Sequence, residues 1–565
     1  MRILVLQTTR MGDVLQTSPL IRGIREQYPD AHIAVLVRRM GRAVAERHPD
    51  VNEIIEYEED ELFLDLRAND SDRLLHAYEL ADQKIKALRE ARFDLAYNVT
   101  HSIASAMLLR LAGIPRVIGA HLSGDGQFVL RGAWTAYFFT SVFHREYNDL
   151  NLCDITRHFE PGSGRAAAPR LVFDLRDEDR AAVDALFERH GIPRDAFLVC
   201  MQLGASEENK RWNEAHFARL ARMLRDRRQA VVLLVGIAAE APLGEAFDQR
   251  APGLAIPLFG QTTVPQLAAL LERARVLITN DTGTMHVAAA VGCPVALVSV
   301  GHVHYRETGP YGPGHCAVEW RRDHLGAGNE VPGGIKERAL VQPEHVLEAV
   351  ESVLRFRETG HAAFVEDRPE LAPVDLYLTR FAPDGCLEYY PLLRRAMTQR
   401  DFTRSAYRFM WLDHLAGKRK PHAEEESFRE LLRCYDGPDS ATVRAWAKEL
   451  DVDFDGLASL ARRGVAATER LLDHLRGGGS MAKAKQMVAE LMGLDEEMRI
   501  YSELRPPCRP LIGIARYERD NLEGADPLVL ARSTLDIYRA CFTRARLMRQ
   551  KCRRIAESCA ECRGN

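Results

Sequence analysis

The chain has 565 residues and a formal net charge of −4, from 76 lysine and arginine against 80 aspartate and glutamate side chains. This length predicts two to four domains. The weakly acidic balance argues against a nucleic-acid partner, because domains that bind nucleic acid are strongly basic. No apolar run reaches about 18 residues, which predicts no transmembrane helix. Polar residues from Gln7 onward end the first apolar run too early for a signal peptide, so we expect a cytoplasmic protein.

Eleven cysteines are scattered along the chain, and only Cys559 and Cys562 lie close together, with Cys552 upstream. In a large chain without a signal peptide, such cysteines are expected to be reduced thiols in the core. A metal or redox site at the C-terminal pair is the weaker alternative, because no second pair accompanies it. We therefore predict no metal site and no cofactor.

The first part of the chain, residues 1–159, alternates short apolar strands with helical segments. Strands are predicted at 2–7, 32–37, 53–57, 93–99 and 116–119, and helices at 13–27, 81–91 and 102–112. This alternation predicts a parallel sheet with helices on both faces.

A second unit of the same kind is predicted over residues 170–357, after a linker at 160–169 that is rich in glycine, proline and alanine. Its predicted strands are 197–203, 230–235, 255–259, 276–279 and 294–299, with helices such as 216–225 and 264–273. Two such units leave a cleft that the carboxyl ends of both sheets face. Ligands of open α/β sheets bind at those ends.

Residues 360–565 form a third part, predicted to be a mainly α-helical extension of unknown role. Apolar residues between Leu457 and Leu475 fall on one helical face, and Ser480 is placed to cap the next helix. The last helix is basic, with Arg544, Arg546, Arg549, Lys551, Arg553 and Arg554. We interpret this run first as a solvated face and second as a surface attracted to anionic lipid.

The turn after the first strand carries Asp13 at the start of a helix. One interpretation is a helix cap, because a carboxylate accepts the free backbone N–H groups there. The other is a general base at the mouth of the cleft, kept ionised by the helix N-terminus. On this turn alone the cap is favoured.

A second turn, Gln202–Trp212, also joins a strand to a helix. Gly204 lets the backbone approach a ligand closely, Ser206 supplies a hydroxyl, and Lys210 supplies a cation for a diphosphate. The alternative is an ordinary solvated lysine, and this loop alone does not decide between them.

A third turn carries Asp281, Thr282 and Gly283 before a predicted helix at 284–291, with His286 one turn inside it. A helix N-terminus binds anions through its free N–H groups and its dipole. Asp281 would repel a phosphate, so we expect it to face neutral sugar hydroxyls. The alternative makes Asp281 a cap and His286 a buried core histidine.

The stretch Asp281–Ala290, followed by Gly292-Cys-Pro294, resembles glycosyltransferase family 9, the ADP-heptose:lipopolysaccharide heptosyltransferases. Further stretches are similar to motifs of that family in the same order: Thr8–Pro19, Gly113–Gly119, Gly204–Trp212 and Thr308–Gly312. The resemblance covers residues 1–357. It implies a GT-B fold with two Rossmann-like halves, the acceptor bound in the first (1–159) and the nucleotide sugar in the second (170–357).

The resemblance also implies an inverting transfer that needs no metal ion, with roles for the three turns. Asp13 would deprotonate the acceptor hydroxyl, and Asp281 would engage the donor sugar. The donor diphosphate would be held by Gly204, Ser206, Lys210, Thr282, Gly283 and His286. Acceptors in this family carry lipid A, Kdo and phosphates, and the arginines placed to meet that charge are Arg10, Arg38, Arg39, Arg42 and Arg67.

The leading hypothesis is heptose transfer from ADP-heptose to a lipopolysaccharide core or related anionic glycolipid, with contact to the inner face of the cytoplasmic membrane through the basic last helix as an addition. A first alternative keeps the family but changes the nucleotide sugar, or makes the acceptor a protein or polymer. A second is an idle scaffold whose helical extension binds partners; the joint presence of Asp13, Lys210, Asp281 and His286 argues against it. A dinucleotide-dependent oxidoreductase is disfavoured because no Gly-x-Gly-x-x-Gly follows an early strand.

Overall fold

The computed structural model describes residues 1–159, 169–302, 304–321, 337–366, 368–417, 426–427, 429–430, 432–433, 435–436 and 439–561. The predicted linker at 160–169 lies outside these residues apart from its last position, and so does Cys562.

The first sheet is doubly wound, as the alternating pattern predicts. Its strands are β1 (Arg2–Gln7), β2 (His32–Val37), β3 (Glu53–Glu56), β4 (Leu95–Asn98), β5 (Val117–Leu122) and β6 (Phe128–Arg131). They lie in the order β3-β2-β1-β4-β5-β6, and β6 runs antiparallel to β5 while the other pairs are parallel. The order reverses between β1 and β4, which opens a crevice beyond their carboxyl ends.

Eight helices of the described chain accompany this sheet: α1 (Met11–Gln16), α2 (Ser18–Gln27), α3 (Arg39–Ala45), α4 (Glu59–Arg67), α5 (Ser71–Glu90), α6 (Ile103–Leu111), α7 (Ala133–Phe143) and α8 (Leu152–Arg157). The single helix predicted at 13–27 is two helices that meet at Thr17. Pro19 explains the break, because proline lacks an N–H and restricts the residue before it.

The second sheet has a parallel core with two added antiparallel strands. Its strands are β7 (Leu198–Gln202), β8 (Val231–Val235), β9 (Ala255–Pro257), β10 (Val276–Thr279), β11 (Val295–Ser299), β12 (Cys316–Trp320), β13 (Val374–Phe381) and β14 (Leu387–Pro391). The order is β14-β13-β12-β11-β10-β7-β8-β9. It reverses between β7 and β10, so the turns after these two strands flank the second crevice.

Helices of this unit are α9 (Asp177–His190), α10 (Glu214–Arg228), α11 (Ala241–Asp248), α12 (Val264–Arg273), α13 (Gly283–Ala290), α14 (Tyr305–Thr308), α15 (Glu337–Leu340) and α16 (Pro343–Thr359). The sheet itself continues past the boundary expected near residue 357, because β13 and β14 pair antiparallel onto β12. Residues 374–391 of the third part therefore complete the second sheet.

The rest of the third part is helical, as predicted. It contains α17 (Gln399–Leu415), α18 (Ser440–Arg476), α19 (Met481–Leu504), α20 (Arg509–Asp520) and α21 (Pro527–Glu561), with a short parallel pair of β15 (Arg395–Ala396) and β16 (Tyr435–Asp436). The extension contacts both halves. Arg408 of α17 binds Asp149 of the first half and Asp384 beside the second sheet, and Leu130 of β6 donates to Asn521.

The basic last helix is only in part the solvated face that we expected, since Arg546, Arg553 and Arg554 are exposed but the other three cations are not. Arg544 and Lys551 are each 2% exposed and pair with Glu518 and Asp413. Arg549 and Arg553 both pair with Asp451 of α18. Arg544, Arg549 and Lys551 hold α21 against α20, α18 and α17, because a charge that is buried must be paired.

Nine cysteines of the described chain are buried, as predicted for thiols of the core. Within the same residues, no helix has the length and apolar character that crossing a bilayer requires.

Candidate functional site between two crevices

The turn after β1 packs directly on the turn after β10. A methyl group added to Gly12 would lie 2.7 Å from Cδ2 of His286, and one added to Gly283 would lie 2.8 Å from Cε of Met11. At such distances an added Cβ would require the neighbouring side chain to move. The two halves thus meet through α1 and α13, and this contact brings Asp13 into the same cleft as the predicted donor turns.

Asp13 lies in the first turn of α1 and is partly exposed. One carboxylate oxygen, Oδ2, accepts the backbone N–H of Arg10 at 3.1 Å. The other oxygen has no hydrogen-bond partner in the described part of the chain. Asp13 is thus the third residue of the helix rather than its N-cap; one oxygen stabilises the helix start, and the role of the other as a base stays a prediction.

Lys210 and Asp281, which come from the two turns at the second crevice, form an ion pair. Lys210 Nζ lies 3.6 Å from Oδ2 of Asp281, and the two side chains are 10% and 18% exposed. Lys210 is thus not a solvated lysine. Asp281 faces this ammonium group, which offsets the repulsion that a carboxylate would otherwise exert on a nearby phosphate.

Asn280, which sequence reasoning did not select, ties the two donor turns together. Its side chain accepts the N–H of Trp212 at 2.8 Å and donates to the carbonyl oxygens of Leu203 and Gly204 at 3.0 and 3.1 Å. The residue is fully buried. Its place directly after a buried strand and before Asp281 is the sequence signal that could have indicated this role.

Replacing Asn280 with alanine should destabilise the protein by about 2–4 kcal/mol, because one N–H and two carbonyl groups lose their partners in the core. The free energy of unfolding from urea titration measures this effect. Asn280→Asp is the isosteric comparison: it keeps the acceptor for Trp212 but buries a carboxylate against the two carbonyl oxygens, so a loss at least as large is expected. Wild-type stability in Asn280→Ala would show that the loops hold without this side chain.

The N-terminus of α13 opens at the cleft. Thr282 occupies the N-cap position in extended conformation, but its side chain does not cap the helix; its hydroxyl lies 3.1 Å from that of Thr279. Thr284 donates to Gln202 at 3.1 Å. The first N–H groups of a helix lack intrahelical acceptors, so this end presents donors and positive potential to the cleft.

His286 is buried against Gly12, with its Nδ1 buried and without a partner in the described chain. Burial lowers the pKa of its imidazole, although the nearby carboxylates of Asp281 and Asp13 act in the opposite direction. His286 is therefore neutral at pH 7.

Glu240 was also missed by sequence reasoning. Its carboxylate accepts the side-chain amide of Gln202 at 2.8 Å and the N–H of Ile237 at 3.0 Å. A methyl group on Gly204 would overlap this carboxylate, so Gly204 makes room for Glu240. Ser206, in the same loop as Gly204, is exposed and makes no hydrogen bond within the described residues.

The arginines predicted for the acceptor divide into two groups. Arg38 is committed to the protein: it pairs with Asp60 at 2.7 Å and donates to the Thr9 carbonyl at 3.0 Å, which holds the turn that carries Asp13. Arg42 likewise pairs with Glu46 and Glu56. The other three of the five predicted arginines are exposed and form no ion pair among the described residues: Arg10, Arg39 and Arg67.

Comparison with known proteins finds related glycosyltransferases. Residues 83–324 match the family model "Glycosyltransferase family 9 (heptosyltransferase)". The chain is 27% identical over 315 residues to lipopolysaccharide heptosyltransferase 2 of Escherichia coli K12, covering 52% of this chain and 81% of that protein. It is 27% identical over 308 residues to lipopolysaccharide heptosyltransferase 3 of the same strain, covering 52% and 82%.

A solved family 9 glycosyl transferase from Veillonella parvula DSM 2008 shares the fold. It superposes with a TM-score of 0.50 at 20% identity and covers 63% of this chain and 97% of its own. Residues beyond the matched region add the helical extension. Residues 83–324 are therefore similar to a family 9 glycosyltransferase domain, the two sheets form a GT-B fold, and the chain is a glycosyltransferase.

Proposed function

We propose that the protein transfers a heptose from ADP-heptose to a lipopolysaccharide core or related anionic glycan, with inversion at the anomeric carbon and without a divalent metal ion. The observation that carries the proposal is the convergence of Asp13, Lys210 and Asp281 on one cleft. The heptosyltransferase relatives support the sugar and the acceptor class.

The proposed acid–base step uses the available oxygen of Asp13. The acceptor hydroxyl oxygen attacks the anomeric carbon of the donor from the side opposite the diphosphate, and Asp13 takes the hydroxyl proton. The new carbon–oxygen bond forms as the bond to the diphosphate breaks, and that electron pair leaves with ADP. Attack from the opposite face inverts the anomeric configuration.

The departing diphosphate gathers negative charge in the transition state, and the proposed stabilisers are Lys210 and the N-terminus of α13. A metal ion supplies this charge in other transferases; here an ammonium group and oriented backbone N–H groups would do so. Ser206, Thr282, Gly283 and the neutral His286 line the same turns, and we assign them to the diphosphate. Asp281 and Glu240 would accept hydrogen bonds from hydroxyl groups of the two sugars in the donor, the heptose and the ribose of ADP.

Membrane contact through the last helix is not part of this proposal. Arg544, Arg549 and Lys551 are largely buried in ion pairs with neighbouring helices, so these three cations are not available to lipid headgroups. For the acceptor we retain the exposed arginines Arg10, Arg39 and Arg67, because Arg38 is already bound within the protein.

A thermal-shift panel of ADP, UDP and GDP with their sugar conjugates tests the donor assignment. ADP and ADP-heptose should give the largest shifts, since a ligand at about 100 times its Kd adds ~2.7 kcal/mol of stability. Transfer to deacylated deep-rough lipopolysaccharide, followed by mass spectrometry and NMR of the anomeric proton, should show inversion and persist in EDTA. A larger shift with UDP or GDP would change the donor, and no shift with any nucleotide would favour the idle scaffold.

A further inference from the structure

A cavity of about 820 Å³ lies between the first half, the second sheet and the helical extension. The first half contributes Arg145 and Phe143, and the second sheet contributes Trp320 at the end of β12. Much of the remaining wall comes from residues beyond 357, among them Asp375, Arg395 and Arg400 of the extension. The family match ends at residue 324, so this wall belongs to the part of the chain that the match leaves unexplained.

The cavity lies beside the transfer cleft, and one segment separates them. Gly301 packs on the backbone of Asn209 and Lys210, on the cleft side. A few residues later, Arg306 and Glu307 line the cavity. Both spaces open at the carboxyl ends of the second sheet's parallel strands, but the cavity lies towards β11 and β12, whereas Glu240 lies towards β8 on the other side of the α13 turn.

Guanidinium and carboxylate groups alternate around the cavity. Arg145 of the first half pairs with Glu307 at 3.1 Å. Asp375 lies between Arg321 and Arg395, at 3.7 and 3.6 Å. Burial raises the pKa of Asp375 to about 6, so this carboxylate is largely ionised at neutral pH. A multiply charged anion would be repelled by the carboxylates of this lining. Such a ligand is therefore disfavoured.

Sugar hydroxyls suit such a lining, because each hydroxyl both donates and accepts a hydrogen bond. The apolar faces of sugar rings pack against aromatic rings, and Phe143, 69% exposed, and the partly exposed Trp320 supply two of these. Arg400 is exposed and forms no ion pair within the described residues, which leaves a donor available at the rim.

We propose that this cavity is a subsite for neutral, hydroxyl-rich sugar residues of the acceptor glycan, built by the helical extension beside the transfer cleft. This proposal rests on the proposed glycosyl transfer for the identity of the ligand as an acceptor. It assigns the extension a function: selection of acceptors that carry further neutral sugars next to the residue that receives the new one.

The test measures binding directly, on the full-length protein with saturating ADP. Neutral trisaccharides and tetrasaccharides of mannose, glucose and galactose are titrated, with saturation-transfer NMR and tryptophan fluorescence as readouts. At least one should bind, and Trp320→Leu and Arg400→Gln should each weaken it about tenfold, from the lost ring contact and the lost charge-assisted hydrogen bond. Arg476→Gln, an exposed arginine about 40 Å along α18 from the contact of Glu449 with Gln399, is the control and should not.

Each other outcome has a definite meaning. Absence of neutral-oligosaccharide binding, or binding that neither Trp320→Leu nor Arg400→Gln weakens, would overturn the subsite. Binding of inorganic phosphate in the cavity with no neutral sugar bound would also overturn it and indicate an anion site. The thermal shift with ADP is recorded for every variant, so a failure of the donor site is seen separately from a failure of the cavity.

Discussion

Asp13→Asn is expected to lower the rate of sugar transfer about 10³-fold while leaving the affinity for ADP unchanged. A positioned general base contributes about 10²–10⁴ to the rate. The amide keeps the size of the carboxylate, and its oxygen still accepts the N–H of Arg10, so the start of α1 is preserved. The variant therefore loses the proton acceptor without losing the turn that presents it.

The measurement is transfer at saturating donor and acceptor, with the thermal shift by ADP as the check on donor binding. Asp30→Asn, an exposed aspartate of the same half, is the matched control and should transfer at the wild-type rate. Wild-type turnover in Asp13→Asn would remove the base assignment. A lost ADP shift would instead mean that Asp13 supports α13 through its position beside His286.

Much of the fold follows from local pattern. Buried parallel strands such as β1 and β10 are continuous apolar runs with glycine or polar turns after them, so their positions were predicted within a residue or two. The antiparallel β13 and β14 were missed because they alternate buried and half-buried residues and lie among prolines. Their pairing with β12 depends on contacts distant in sequence, which periodicity does not report.

The site was predictable where a polar residue follows a buried strand. Asp13, Lys210, Asp281 and His286 were predicted in this way; the structure pairs Lys210 with Asp281 and packs His286 against Gly12, next to Asp13, while their roles stay a prediction. Glu240 was not predicted, because its position depends on the absence of a side chain at Gly204, thirty-six positions earlier in the chain.

Charge runs are the least informative pattern in this sequence. The basic run of α21 looks like a solvated or lipid-binding face, yet its acidic partners come from three other helices. Arg38 is similar: in sequence it belongs with Arg39 as a cation for the acceptor, but in the fold it holds the backbone of Thr9. Whether such a charged side chain is available to a ligand depends on its partners from distant parts of the chain.

Lys210→Met is expected to lower turnover about 10²–10³-fold and to weaken ADP binding, because the ammonium group is the cation nearest to the proposed diphosphate and is largely buried. Its position in a short turn, Glu208–Lys210, fixes where the charge lies. Lys210→Arg should recover only part of the activity, since a planar guanidinium does not reproduce a compact ammonium. Lys483→Met in α19 is the control and should behave as wild type.

Asp281→Asn separates the role of the Lys210–Asp281 ion pair from the role of the Lys210 ammonium group alone. Without donor, Lys210 is shared with Asp281 at 3.6 Å, and this attraction competes with the diphosphate. Removing the negative charge should therefore tighten binding of ADP itself. The same variant should lose part of the extra affinity that ADP-heptose has over ADP, because Asp281 is proposed to accept a hydroxyl of the donor sugar. Calorimetric titration of both ligands measures the two effects, and weaker ADP binding in Asp281→Asn would mean that the carboxylate serves mainly to hold Lys210 in place.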